Sequence, residues 1–111
     1  MDFDYPEFIK KLPLADIPFE GVRGYLLPSP LGLVVFFDID PIGKIPEHSH
    51  GEQWGVVLSG SMDLTTNGAT RTVIAGDKYH IPPGIRHSAV FHTKFFAVDF
   101  FAEPDRYRIK E

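Results

Sequence analysis

The chain has 111 residues, of which 43% are hydrophobic and 23% charged, a balance that fits one globular domain and excludes a disordered segment. A formal net charge of −4 argues against a nucleic-acid surface, which needs clustered Lys and Arg, and Lys10-Lys11 is too small a cluster to serve. The absence of Cys removes disulfides and thiolate metal sites, no apolar run nears the ~20 residues of a membrane span, and Met1-Asp2-Phe3-Asp4 lacks a secretory pattern, so a cytoplasmic protein is expected.

In chain order, the first element is a short helical turn over Tyr5 to Lys11, with Pro6 suited to its first position. Strands follow at Val22 to Leu27 and Leu31 to Asp38, rich in branched and aromatic residues and separated by the breaker Pro28-Ser29-Pro30. Leu33-Val34-Val35-Phe36-Phe37 is apolar on both faces, which predicts that its outer side packs against another sheet or a second subunit. Pro41-Ile42-Gly43 ends that strand and leads into a loop carrying His48-Ser49-His50. Further strands are expected at Trp54 to Leu58, Met62 to Thr66, Thr70 to Ile74, Lys78 to Ile81, His87 to Phe91 and Phe95 to Phe101. Asn67-Gly68 is a hairpin signal, and Ser59-Gly60-Ser61 marks another turn. Regular short strands of this kind mean a sandwich or a barrel.

Two segments carry the chemistry. His48-Ser49-His50 on extended backbone places both imidazoles on one face, because successive residues of a strand point to opposite sides. H-x-H alone is common on polar loops. About thirty residues later, Gly76, Pro82, Gly84 and His87 form a turn-rich segment that delivers a third imidazole at the start of a strand. Three imidazoles with open positions suit a divalent transition metal such as Zn, Ni, Fe, Mn or Cu.

The paired segments resemble the two motifs of the cupin family. The first runs Gly43, His48, His50, Gln53, Gly60 and the second Gly76, Pro82, Gly84, His87, and together they cover roughly residues 31 to 101. The first is shorter than the common form between Gly43 and His48 and again after His50, and Phe91 stands where the second often has Asn. The resemblance implies an all-β fold, a cupin double-stranded β-helix or jelly-roll barrel, as a single domain over residues 1–111. It also implies a metal held by His48, His50, Gln53 and His87. Counting back from Gly60 selects Gln53, with Glu52 as the alternative. Small cupins often dimerise, so a homodimer is expected, with residues 1–27 packing on the barrel or on the partner.

Strict alternation in Phe95 to Phe101 puts Asp99 on the face of Phe95, Ala97 and Phe101, where a carboxylate needs a partner. That partner is expected to be Arg106 or Arg86. One reading is a buried ion pair fixing the C-terminal tail; the other places Asp99 near the metal as a general acid or base. The run from Asp99 to Tyr107 is similar to a segment of cupins that linearise unsaturated uronates from pectin and alginate. There the matching Asp, Phe and Arg surround a metal, which implies catalytic roles for Asp99 and Arg106, although Arg106 is displaced by one residue and Ala102 and Glu103 depart from the pattern. His80 and His92 read as surface or packing residues, and Trp54 and Tyr25 as core, with the lining of a pocket as the alternative.

These readings lead to a metal-dependent isomerase or lyase acting on a small polar metabolite such as an unsaturated sugar acid. An iron-dependent dioxygenase and a non-catalytic small-molecule-binding protein are the two other classes compatible with the residues.

Overall fold

Two antiparallel sheets face each other in a computed structural model that describes residues 2–111. The elements are α1 (Glu7–Lys10), β1 (Val22–Ser29), β2 (Gly32–Ile39), β3 (Gly43–His48), β4 (Gln53–Ser59), β5 (Ser61–Thr66), β6 (Ala69–Ile74), β7 (Lys78–Ile81), β8 (His87–Phe91) and β9 (Phe95–Phe101). One sheet has the order β1-β2-β9-β4-β7 and the other β3-β8-β5-β6. This is the expected all-β jelly roll in a single domain, and its non-consecutive neighbours bring β4 and β9 side by side although some forty residues separate them.

Alternation decides what each strand buries. On β2, Leu33, Val35, Phe37 and Ile39 point inward and are buried, with Val57, Met62, Leu64, Val73, Phe95 and Phe101 completing the same core. Burying each such side chain contributes roughly 1.5–3 kcal/mol. The outer face of β2 is not covered by a sheet at Phe36: the chain's own Tyr5 ring lies edge-on against it at 5.8 Å. The Tyr5 hydroxyl donates to the Phe37 carbonyl at 2.7 Å and lies 3.1 Å from that of Ala97, stapling the N-terminal segment over the β2–β9 seam.

Three local expectations need correction. The helix is shorter than predicted, and Pro6 sits at its N-cap with extended backbone rather than at its first helical position. Pro28 does not break the first strand, because β1 runs on to Ser29 at a sheet edge, where a missing N–H costs no ladder bond. The segment before the His pair is not a loop: Gly43–His48 forms β3 and pairs with β8, with a register shift between Ile45 and His48. Pro46 sits inside that irregularity on an edge strand, a position that tolerates proline. At the β5–β6 turn, Asn67 and Gly68 both have positive φ, +51° and +85°, the twist that a two-residue hairpin requires.

Candidate metal centre

The irregularity in β3 sets the aim of the first histidine. Past it, His48 lies directly opposite His87 of β8, and the two ring centroids are 4.3 Å apart. His50 follows two residues beyond the end of β3, with its ring centroid 5.3 Å from that of His48 and 4.7 Å from that of His87. The loop holding it is pinned from three sides. Gly84 N–H donates to the His50 carbonyl at 2.9 Å, Gly51 N–H donates to Glu103 Oε1 at 2.7 Å, and Ala102 N–H donates to the Glu52 carbonyl at 2.9 Å. The Pro-Gly turn of the second motif and the C-terminal tail therefore both clamp the first motif.

One nitrogen from each of His48, His50 and His87 lies within 4.8 Å of the others. Each ring also has its Nδ1 against a backbone carbonyl: Pro46 at 2.9 Å, Gly51 at 2.8 Å and Ile85 at 2.9 Å respectively. A carbonyl only accepts, so Nδ1 carries a proton in each ring, and in the neutral ring Nε2 is the nitrogen that keeps its lone pair. Burial, opposed in part by the Gly51 carbonyl, pushes His50 down to about 4, with the Arg106 and neighbouring histidine charges adding to the shift. Burial likewise lowers His87. Both are neutral at pH 7, which is the form that binds metal.

Gln53 and Glu52 are separated by the pleat. Gln53, the first residue of β4, lines the same cavity of about 80 Å³ as the three histidines. Glu52 points outside, where its Oε2 lies 2.6 Å from His80 Nε2 beside the exposed Trp54. His92 is likewise on the surface, 3.3 Å from Asp63. Tyr25 lies outside the cavity, its ring 6.2 Å from that of Tyr5.

Asp99 is fully buried in the cavity wall, and its partners are neither of the two arginines expected. Gln53 Nε2 donates to Asp99 Oδ2 at 2.6 Å, and the Tyr79 hydroxyl lies 2.8 and 2.9 Å from the two carboxyl oxygens. Burial raises Asp99 to about 7 despite both hydrogen bonds. Burial, then the Asp99 charge, raises Tyr79 well above the usual phenol range, so it remains a donor. Arg86 instead donates to Glu47 at 2.9 Å. Arg106 is at the rim: its guanidinium carbon lies 4.4 Å from the Tyr107 ring centroid and 5.8 Å from that of Phe101, and its buried Nε has no acceptor. An open hollow of about 450 Å³ leads past Phe19, Glu47 and Arg106 to His48 and His50.

Tyr79 was absent from the sequence reading, yet a signal for it was present. Gly55 interrupts the apolar run from Trp54 to Leu58 in β4, and a glycine inside a strand often marks a close approach. A Cβ there would lie 2.6 Å from Asp99 Oδ2 and from ring carbons of Tyr79. Glu103, which departs from the uronate-cupin pattern, was also passed over, although it holds the Gly51 N–H.

The donor set of this chain, three imidazoles with an amide beside them, fits a borderline divalent transition metal. Among the described residues no helix is long and apolar enough to cross a membrane.

Comparison with known proteins agrees with the architecture. An RmlC-like cupin from Shewanella frigidimarina NCIMB 400 is 26% identical, with TM-score 0.76, over 96% of this chain and 93% of that one. KdgF from Halomonas sp. is 21% identical, with TM-score 0.71, over 82% of this chain and 89% of that one. Oxalate decarboxylase from Bacillus subtilis is 19% identical, with TM-score 0.69, over 87% of this chain but only 28% of that one. The last two likenesses speak to fold alone. No curated protein matches. The family described as the cupin domain matches residues 35–100, more than half of the chain, and with the jelly roll and the paired histidine segments this means that the chain belongs to the cupin family.

Proposed function

We propose that the protein is a metal-dependent isomerase or lyase acting on a small carboxylate-bearing metabolite, with an unsaturated sugar acid as the substrate class. The observation that carries this reading is a sequence of groups along one path: Arg106 at the rim, His48, His50 and His87 with Gln53 below it, and the buried Asp99 in the same cavity wall. His48, His50, Gln53 and His87 would hold the metal. When bound it acts as a Lewis acid, and a neutral ligand set leaves its dication charge undiminished.

The chain's own groups account for the rest. Arg106 has a buried Nε seeking an acceptor, and a substrate carboxylate offers one in the geometry a guanidinium prefers. Glu47 does not compete, because it is held by Arg86. Asp99, raised to about 7 by burial, exchanges a proton near neutral pH. It takes the anomeric hydroxyl proton as the ring C–O bond breaks to aldehyde and enolate, and that proton is returned to the enolate carbon, so the net change is an isomerisation without redox. The similarity of the Asp99–Tyr107 run to uronate-linearising cupins supports the same substrate class.

The test is consumption of an unsaturated hexuronate, followed by loss of its conjugated double bond, by zinc-, nickel-, manganese- and iron-loaded protein. Turnover that disappears in Asp99→Asn is expected. Oxygen uptake with ferrous iron and no isomerisation would assign the site to dioxygenase chemistry, and ligand-dependent stabilisation without turnover would make it a binding protein.

A further inference from the structure

We infer that Tyr79 and Asp99 are positioning residues that fix which end of the Gln53 amide faces the three histidines. Asp99 of β9, Gly55 of β4 and Tyr79 of β7 occupy one row across the sheet, because Gly55 pairs with Asp99 on one side and with Tyr79 on the other. Side chains two strands apart do not normally meet. Here the central position has no Cβ, and the Tyr79 ring crosses over Gly55 to place its hydroxyl 2.8 and 2.9 Å from the Asp99 oxygens. The space the glycine leaves is filled by this contact, since a Cβ there would lie 2.6 Å from both partners.

The consequence falls on Gln53. An amide side chain presents either an oxygen or an NH₂ group, and only the oxygen can serve a metal. A carboxylate accepts and does not donate, so Asp99 selects the NH₂ end, and Nε2 donates to it at 2.6 Å. Oε1 is then the end left free for the cavity that Gln53 shares with His48, His50 and His87. Tyr79, donating from behind, stops the carboxylate from turning away. The two residues lie outside the ligand set and act on it only through the Gln53 amide.

This inference rests on the metal-centre reading and makes no use of the substrate. Its test is a double-mutant cycle with zinc as probe, measured by competition against a chelating dye and accompanied by melting of each metal-free variant. Tyr79→Phe is expected to weaken zinc binding about tenfold in the wild-type background, within the range known for outer partners of metal ligands. In a Gln53→Ala background the same Tyr79→Phe change is expected to alter the affinity less than twofold, because the amide it acts through is gone. Asp99→Leu should follow the same pattern, weakening zinc binding in the wild-type background and altering it less than twofold in Gln53→Ala, and serves where Tyr79→Phe melts early. Equal weakening in both backgrounds, or no weakening in either, would overturn the positioning role while leaving the metal centre intact. No zinc binding by the wild type would overturn both.

Discussion

His48 and His87 face each other across β3 and β8 with their ring centroids 4.3 Å apart. Two imidazoles so close would repel if both were protonated, and desolvation already disfavours the charged form of the buried His87. Each instead donates Nδ1–H to a carbonyl two residues earlier in the chain, Pro46 or Ile85, which costs no partner from elsewhere. The arrangement is therefore set by backbone before any ligand arrives. The irregular register in β3 that allows it is a small local cost with a functional result.

Asp99→Asn separates proton transfer from ligand positioning. Asn offers an oxygen to Gln53 Nε2, and its amide nitrogen can meet Tyr79, whose hydroxyl turns to accept. Zinc affinity is expected to stay within about threefold of wild type, whereas isomerisation falls by roughly 10² to 10⁴, the usual worth of a general acid or base. Equal turnover by the two proteins would remove Asp99 from the chemistry.

Arg106→Gln should raise KM for a carboxylate substrate by about tenfold to a hundredfold, as expected for the loss of ~1.5–3 kcal/mol of charged hydrogen bonding, with zinc stoichiometry unchanged. The parallel measurement on the neutral alcohol analogue of the same substrate should show little difference between the two proteins. A similar loss for both compounds would mean that Arg106 serves packing against Tyr107 rather than anion recognition.

Gly55→Ala introduces a methyl group 2.6 Å from Asp99 Oδ2 and from Tyr79. Overpacking of this kind is expected to cost about 1–3 kcal/mol of stability and to weaken zinc binding in the same protein. Denaturant unfolding and zinc competition check the two effects, and a neutral outcome in both would show that the row can open without cost.

On the outer surface, Asp40 receives hydrogen bonds from Arg23 at 2.7 Å and Lys94 at 2.8 Å, which hold its carboxyl down at about 2. A carboxylate depressed on folding contributes stability above its unfolded pKa near 3.9, and the contribution is lost as pH falls through about 2. Because the side chain is 43% exposed, that contribution is about 1 kcal/mol or less. Asp40→Asn should melt slightly below wild type at pH 6 and together with it near pH 2. A gap of the same size at both pH values would refute the assignment.

Most strands were legible because Val, Ile, Phe and Thr runs alternate cleanly, as in Phe95–Phe101, and because Asn67-Gly68 marks a turn by its own backbone preference. β3 was not, because Lys44, Pro46 and Glu47 leave Ile45 as its only inward apolar residue and its pairing with β8 is supplied by the tertiary fold. The three histidines could be read from spacing, and the fold places Gln53 rather than Glu52 beside them. The partners of Asp99 could not be read. Arg86 and Arg106 looked plausible by charge, but which residues reach Asp99 depends on β4 lying between β7 and β9, an order that local pattern does not encode. Charge pairing was the wrong guide at a fully buried position where a phenol and an amide satisfy the carboxylate without importing a second ion.

The central claim is that His48, His50 and His87, with Gln53, hold one divalent metal. Metal content after reconstitution, read together with metal-dependent melting, tests it directly in wild type and His87→Ala. The account predicts one metal per chain and a raised melting temperature in the wild type, with both lost in His87→Ala. A wild type that takes up no metal, or a His87→Ala variant that binds it equally well, would contradict it.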